Sequence, residues 1–306
     1  MEASSLTRPA LAAKTSRRGE RAIRGLLALC ALVSIATTVG IVLALVIPSI
    51  EFFSEVSPLD FFGGTDWAPL FAKPSFGVLP LIAGTLSIAL WASLVAIPFG
   101  LGAAIYLAEY ASPRVRQALK PTLEVLAGVP TVVFGYFALQ SVTPFLKSIG
   151  LPVSTFNALS AGLVVGVMLI PTVASLSEDA MTAVPSGLRQ GAYALGANRL
   201  QVALRVVVPA ALSGIIASFV LAISRAVGET MIVAVAAGLQ PNLSLNPFAS
   251  VETMTGFMAA TANGDVPVGS IEYKTIFAVG LTLFTITLVL NAVAIRLVNR
   301  FREVYE

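Results

Sequence analysis

The chain has 306 residues, 57% hydrophobic and 11% charged, with a formal net charge of +3 and a mean hydropathy of +0.89; that balance exceeds the demand of a soluble core and makes it an integral membrane protein. The absence of histidine excludes histidine-based triads, proton relays and metal sites. A single cysteine excludes a disulfide within the chain, and the small positive charge, gathered between apolar runs, reports topology rather than nucleic-acid binding.

Residues 1–24 carry Arg8, Lys14, Arg17, Arg18, Arg21 and Arg24 and are predicted to form a basic cytoplasmic tail. The apolar run from Gly25 to Ile50 exceeds the roughly 7–15 residues of a signal-peptide core, and no small-x-small cleavage site follows it, so an uncleaved first span is predicted. A helix needs about 20 apolar residues to cross a hydrocarbon layer about 30 Å thick. Such runs predict spans near 25–48, 78–107, 121–146, 157–177, 208–238 and 275–297. The expected fold class is an all-α polytopic membrane protein, with residues 25–306 as one transmembrane domain of six helices.

Six spans put both termini on one side. On that side lie the tail, Arg114, Arg116 and Lys120, then Arg189, Arg199 and Arg205, and finally Arg296, Arg300 and Arg302; Lys73, Lys147 and Lys274 lie on the other. Basic residues gather on the cytoplasmic side of spans, which predicts that both termini are cytoplasmic. The outer connections, 48–77 and 239–274, are long and rich in Pro, Gly, Phe and Asn. They are expected to be ordered caps or docking surfaces for an external partner, against the plainer alternative of irregular solvated loop.

Between the fourth and fifth spans, near 178–207, lies a cytoplasmic loop whose core reads "VPSGLRQGAYALGANRLQVALRVVVP" from Val184 to Pro209. A helix-prone segment runs from Leu188 to Leu195, Gly196 stands where a helix would stop, and a second helical start leads to Pro209. This pattern resembles the coupling loop of permease subunits of ABC importers: E-A-A, three residues, G, nine residues, I-x-L-P. Gln190, Gly191 and Ala192 stand at the E-A-A places, Gly196 at the glycine, Val206 and Val208 at the aliphatic places and Pro209 at the proline. The resemblance implies a type I importer permease fold and a short helix that seats in a separate ATPase. None of the five lysines is preceded by glycine, so the chain has no phosphate loop of its own.

The fifth span, which Pro209 is expected to open, contains "AISRAVGETM" from Ala222 to Met231. Helical steps place Gly214, Ser218, Ala222, Arg225 and Glu229 along one stripe, small residues first and charges after. A charge at the midplane costs roughly 2.5–3.5 kcal/mol unless it faces a polar interior or a partner. Two readings remain open. Arg225 and Glu229 form a structural ion pair, or Arg225 is a transient counter-charge for a crossing anion and Glu229 holds the guanidinium when the pathway is empty.

The same string resembles the R-A-x-G-E-T core of the permease subunits of the bacterial high-affinity phosphate importer, the C-type subunit in particular. What the resemblance implies is a non-catalytic permease subunit in the bacterial inner membrane, with Arg225, Glu229, Ser224 and Thr230 in the phosphate pathway. It further implies a second homologous permease, two ATPase subunits carrying ATP and Mg, and an extracytoplasmic phosphate-binding protein; no cofactor or metal is expected in this chain. The alternatives are a permease for another oxyanion, sulfate or molybdate, and an ion-coupled secondary transporter, which would leave the coupling loop unexplained.

Overall fold

The computed structural model describes residues 17–244 and 246–300. Most of the predicted basic tail, residues 1–16, and the C-terminal stretch with Arg302 lie outside the described residues. The chain divides into two units, one up to Ile47 and one from Pro48 onward. The first is most of a single apolar helix, α1 (Arg17–Glu55), in which Pro48 marks the boundary.

The second unit begins with the end of α1, then α2 (Pro58–Gly63) and a small antiparallel hairpin of β1 (Trp67–Ala68) and β2 (Ser75–Phe76), in which Trp67 pairs with Phe76. Next come α3 (Leu79–Ile105), extended by a π-helical turn at Tyr106–Tyr110, and α4 (Pro113–Ala127). The helix α5 (Thr131–Phe137) runs through a second π-helical turn into α6 (Thr143–Ser148), and α7 (Ala158–Thr182) follows. Beyond it are α8 (Ser186–Ala194), α9 (Arg199–Val202), a third π-helical turn at Ala203–Val207, α10 (Val208–Ala210) and α11 (Leu212–Val227). The chain continues with α12 (Met231–Ala236), α13 (Met254–Ala262) and α14 (Ile271–Arg300).

Among the described residues α1, α3, α7 and α14 are long and apolar enough to cross a membrane, and six spans result if each of two bent helix pairs counts as one. The bends correct two predicted spans. The third, 121–146, is not one helix: α4 meets the α5–α6 segment at 85°, because Gly128 ends α4 and Pro130 stands before α5. The polar helix α4 buries no residue and is held instead by Arg116 and Lys120 on the fully buried Glu178 of α7. The fifth, 208–238, is bent by 74° before Leu212, so Pro209 belongs to the preceding segment, and it is interrupted again after Val227.

The core is a close seam between α3 and α7. In lipid the hydrophobic effect does not drive helices together, and association depends on close packing of small residues. Ala92, Ala96 and Gly100 recur every four residues along α3 and are buried; Gly162 and Gly166 repeat the same spacing on α7. A Cβ added at Gly166 would lie 2.7 Å from the Cβ of Val95 and 2.8 Å from the Ala92 carbonyl oxygen, so the two backbones approach as closely as glycine permits.

The connection 48–77 is an ordered cap. Phe52, Phe61 and Trp67 are buried in an aromatic cluster, in which Trp67 meets Phe257 of α13 edge to face at 4.9 Å. The second long connection contains α13, which sequence periodicity did not reveal because the helix is short and Thr255 and Thr261, with Thr253 at its N-cap, interrupt the apolar run. They are nonetheless buried, and the backbone N–H of Met254 donates to Thr85 of α3 at 3.0 Å.

Gly166→Leu is expected to destabilise the protein by about 1–3 kcal/mol through overpacking of the seam, measured as lowered resistance to denaturant in detergent. Unchanged stability would mean that the seam opens without cost.

Candidate functional site

The end of the bundle that carries α8 is built on charge. Gly196 adopts φ +82° and closes α8, with the Ala197 N–H bonded to the Ala192 carbonyl at 3.1 Å. Asn198 and Gln201 then cap α9 reciprocally at 2.9 Å. Gln190, Gly191 and Gly196 are exposed and Ala192 is half-buried. A Cβ at Gly191 or Gly196 would meet nothing within 4 Å, so the chain's own packing does not demand a small residue at 191. Leu195 is 91% exposed, leaving α8 with a polar, glycine-bearing surface and an apolar tip.

Arg189 fixes this helix to the membrane core, a role that its place among the basic residues of the loop did not disclose. Its guanidinium donates to the Val184 and Met181 carbonyls at 2.6 and 2.7 Å and to Glu109, at the end of α3, at 3.0 Å. It thereby satisfies carbonyls exposed at the end of α7 and complements the negative end of that helix dipole. Lys120 adds ion pairs to Glu178 and Asp179 at 2.8 and 2.6 Å.

Halfway along the bundle, α11 lies on α7 through the stripe read from the sequence. Gly214 faces Ala180, and the Ser218 and Ser177 hydroxyls are 2.8 Å apart. At the far end the Arg225 Nη1 donates to Thr172 of α7 at 3.3 Å. On its neighbouring face Ser224 donates to Asn291 of α14 at 3.1 Å. Thr172 and Asn291 are members of this polar group that the sequence reading missed, since a lone Thr or Asn in an apolar run carries no periodic signal.

Glu229 is not on the helix that carries Arg225. The helix α11 ends at Val227, and Glu229 turns its carboxylate onto the start of α12, accepting from the Met231 and Ile232 N–H groups at 3.1 and 3.3 Å. Its carbonyl accepts from the Thr255 hydroxyl of α13 at 2.6 Å, and Thr230 bonds back to Gly228 at 3.3 Å. Among the described residues Arg225 and Glu229 form no ion pair. The i,i+4 pair expected from a continuous helix is therefore absent, because the break rotates Glu229 away. Arg225 is exposed, and among the described residues its guanidinium makes only the bond to Thr172, leaving donors of its planar fork uncommitted there.

Residues 96–303 match the model of the family described as "binding-protein-dependent transport system inner membrane component". A probable ABC transporter permease protein of Bacillus subtilis, YqgH, is 35% identical over 260 residues, 84% of each chain. The phosphate transport system permease protein PstC of Mesorhizobium japonicum is 32% identical over 76% of each chain. PstC 1 of Mycobacterium tuberculosis is 32% identical over 80% of this chain and 83% of its own. The fold is similar to that of the MetNI methionine ABC transporter, with TM-score 0.55, 16% identity and coverage of 74% of this chain and 95% of that one. It is likewise similar to a bacterial alginate ABC transporter solved with its pentasaccharide-bound periplasmic protein, at TM-score 0.55, 16% identity and coverage of 89% and 94%.

A double-mutant cycle with Arg189→Ala and Glu109→Gln is expected to give a coupling energy of about 0.5–3 kcal/mol in detergent unfolding. Strict additivity would refute the contact.

Proposed function

Because the chain belongs to the family of binding-protein-dependent transport system inner membrane components, and is thereby a multi-pass ABC importer permease, we propose that it serves an ATP-driven phosphate importer and forms the translocation pathway with a second homologous permease. The observation that carries the choice of an anion is Arg225: a guanidinium halfway along a membrane bundle, without an ion pair among the described residues and flanked by Thr172 and Ser224. A planar fork of donors matches a tetrahedral oxyanion through two parallel hydrogen bonds. The relatives named for phosphate transport support phosphate among the oxyanions; sulfate and molybdate share the tetrahedral geometry. Family membership sets aside the ion-coupled secondary transporter.

In this reading the pathway residues are Arg225, Ser224 and Thr230, and Glu229 shapes the pathway by holding the helix break. The permease catalyses no chemistry. Two separate ATPase subunits carry ATP and Mg and seat on α8 through Gln190, Gly191, Ala192 and Gly196, with Pro209 at the base of the loop. An extracytoplasmic phosphate-binding protein delivers the anion at the opposite end, and both termini are cytoplasmic. Closure of the ATPases pushes α8 and rocks the bundle between access from outside and from inside.

In proteoliposomes holding the complete complex, Arg225→Ala is expected to abolish uptake of labelled phosphate while assembly persists. Arg225→Lys is expected to retain little, because a point charge cannot reproduce a two-pronged contact; normal uptake by either variant would sink the assignment. Competition by excess sulfate or molybdate as strong as that of phosphate would shift the substrate to another oxyanion. Gly196→Arg, bulky and charged at a left-handed turn, is expected to insert normally yet lose the ATPase on copurification. Full recovery of the ATPase would place its seat elsewhere.

A further inference from the structure

At the end of the bundle opposite α8, residues from three segments line an open cavity of about 220 Å³: Trp67, Leu70 and Phe71 near the hairpin, Leu239 in the connection after α12, and Phe257 on α13, with Glu252 in the wall. Glu252 is 6% exposed, and among the described residues no hydrogen bond or ion pair reaches its carboxyl. Among the described residues the other glutamates with buried side chains are engaged: Glu178 by Arg116 and Lys120, Glu109 by Arg189, Glu229 by two backbone N–H groups. The indole N–H of Trp67 is also buried without an acceptor. Glu252 thus presents to this apolar cavity a carboxyl without a partner among the described residues, and the Trp67 N–H lies unpaired within the cavity wall, although buried polar groups are otherwise almost always paired.

We infer that this cavity is a socket for a lysine or arginine side chain presented by the extracytoplasmic partner protein. The assignment rests on the importer reading given under Proposed function, and adds to it a docking contact and its chemistry. A long basic side chain lays its methylene stem on apolar surface and keeps its charge at the tip; here the walls are aromatic and aliphatic, and Glu252 receives the tip. No other residue lining the cavity is charged. The surrounding connections carry Glu51, Glu55, Asp60, Asp66, Asp265 and Glu272 against Lys73 and Lys274, an excess of negative charge that draws a basic surface toward them. The same carboxylate repels a free anion, so the socket is no phosphate site.

The socket is joined to the pathway by its own backbone. The carbonyl of Glu252 rests against Gly84 of α3 so closely that no Cβ fits there. Two residues on, Met254 bonds to Thr85 of α3, and Thr255 bonds to the carbonyl of Glu229 at the helix break. A side chain seated on Glu252 therefore presses on the segment that holds the break next to Arg225.

Burial pushes the Glu252 carboxyl up to about 7, and only the carboxylate attracts a cation. Protonation therefore competes with docking as pH falls below about 7. The test is ATP hydrolysis by the complete transporter in proteoliposomes, titrated with its binding protein between pH 6 and 8. The wild type is expected to need more binding protein for half-stimulation as pH falls through this range. At pH 8 Glu252→Gln is expected to raise the half-stimulating concentration about tenfold or more, as loss of one partner of a buried charge pair does, and to flatten its pH dependence. Ala260→Leu, which narrows the cavity and keeps the carboxyl, is expected to weaken stimulation as well. Half-stimulating concentrations within about twofold of wild type in both variants, with the pH profile of Glu252→Gln unchanged, would overturn the socket and leave the cavity to water. Phosphate uptake by the wild type tests the substrate reading separately, since the variant-to-wild-type ratio reports the socket for any anion the binding protein carries.

Discussion

A helix that stops inside a hydrocarbon layer leaves backbone donors and acceptors with no water to satisfy them, and each unsatisfied group costs several kcal/mol. The interruption at Gly228–Thr230 meets that constraint internally. Glu229 supplies its carboxylate to two N–H groups of α12, its carbonyl is taken by Thr255, and the Gly228 N–H returns to the Ser224 carbonyl at 3.2 Å. With Glu229 committed to the backbone, Arg225 is left without a counter-charge among the described residues. The buried α13 is required for the same reason, since without Thr255 the Glu229 carbonyl would have no partner among the described residues.

Much of this fold was legible in composition and spacing. Apolar length alone located α3, α7 and α14, and the small-residue stripe read along α11 is a face that packs on another helix, whose identity as α7 only the structure supplies; a helical step of three or four residues survives translation into contact. Gly196 was equally legible, since a left-handed helix terminus is a property of the local chain. What escaped were features fixed by distant partners. The Arg225–Glu229 pair was drawn on a helix assumed continuous; Gly228 permits the break, but Thr255, 26 residues further on, is what holds it. The bend between α4 and α5 had a visible signal in Gly128 and Pro130, overridden by the apolar count of the run.

The π-helical turns set a second limit. Each inserts one extra residue into a helical register, and they fall at Tyr106–Tyr110, Ala138–Val142 and Ala203–Val207. A helical wheel drawn through such a turn is rotated by about 100° beyond it. Glu109 reaches Arg189 from inside the first of these turns, so no uniform period from the middle of α3 points to that contact.

The helix α3 and its π-helical extension are pinned at both ends: Thr85 holds the Met254 N–H near one, and Glu109 holds Arg189 near the other. The 24 residue steps from Thr85 to Glu109 make a strut about 36 Å long at 1.5 Å per residue. Its length is therefore not free to drift. One residue gained or lost between the pins would turn one end against the other by about 100° and shift it by about 1.5 Å, separating either the α13 segment or α8 from its anchor. Substitution can alter the faces of this helix, but an insertion or deletion within it costs one of the two anchors unless a local change of winding absorbs it, as the π-helical turn at Tyr106–Tyr110 absorbs one extra residue.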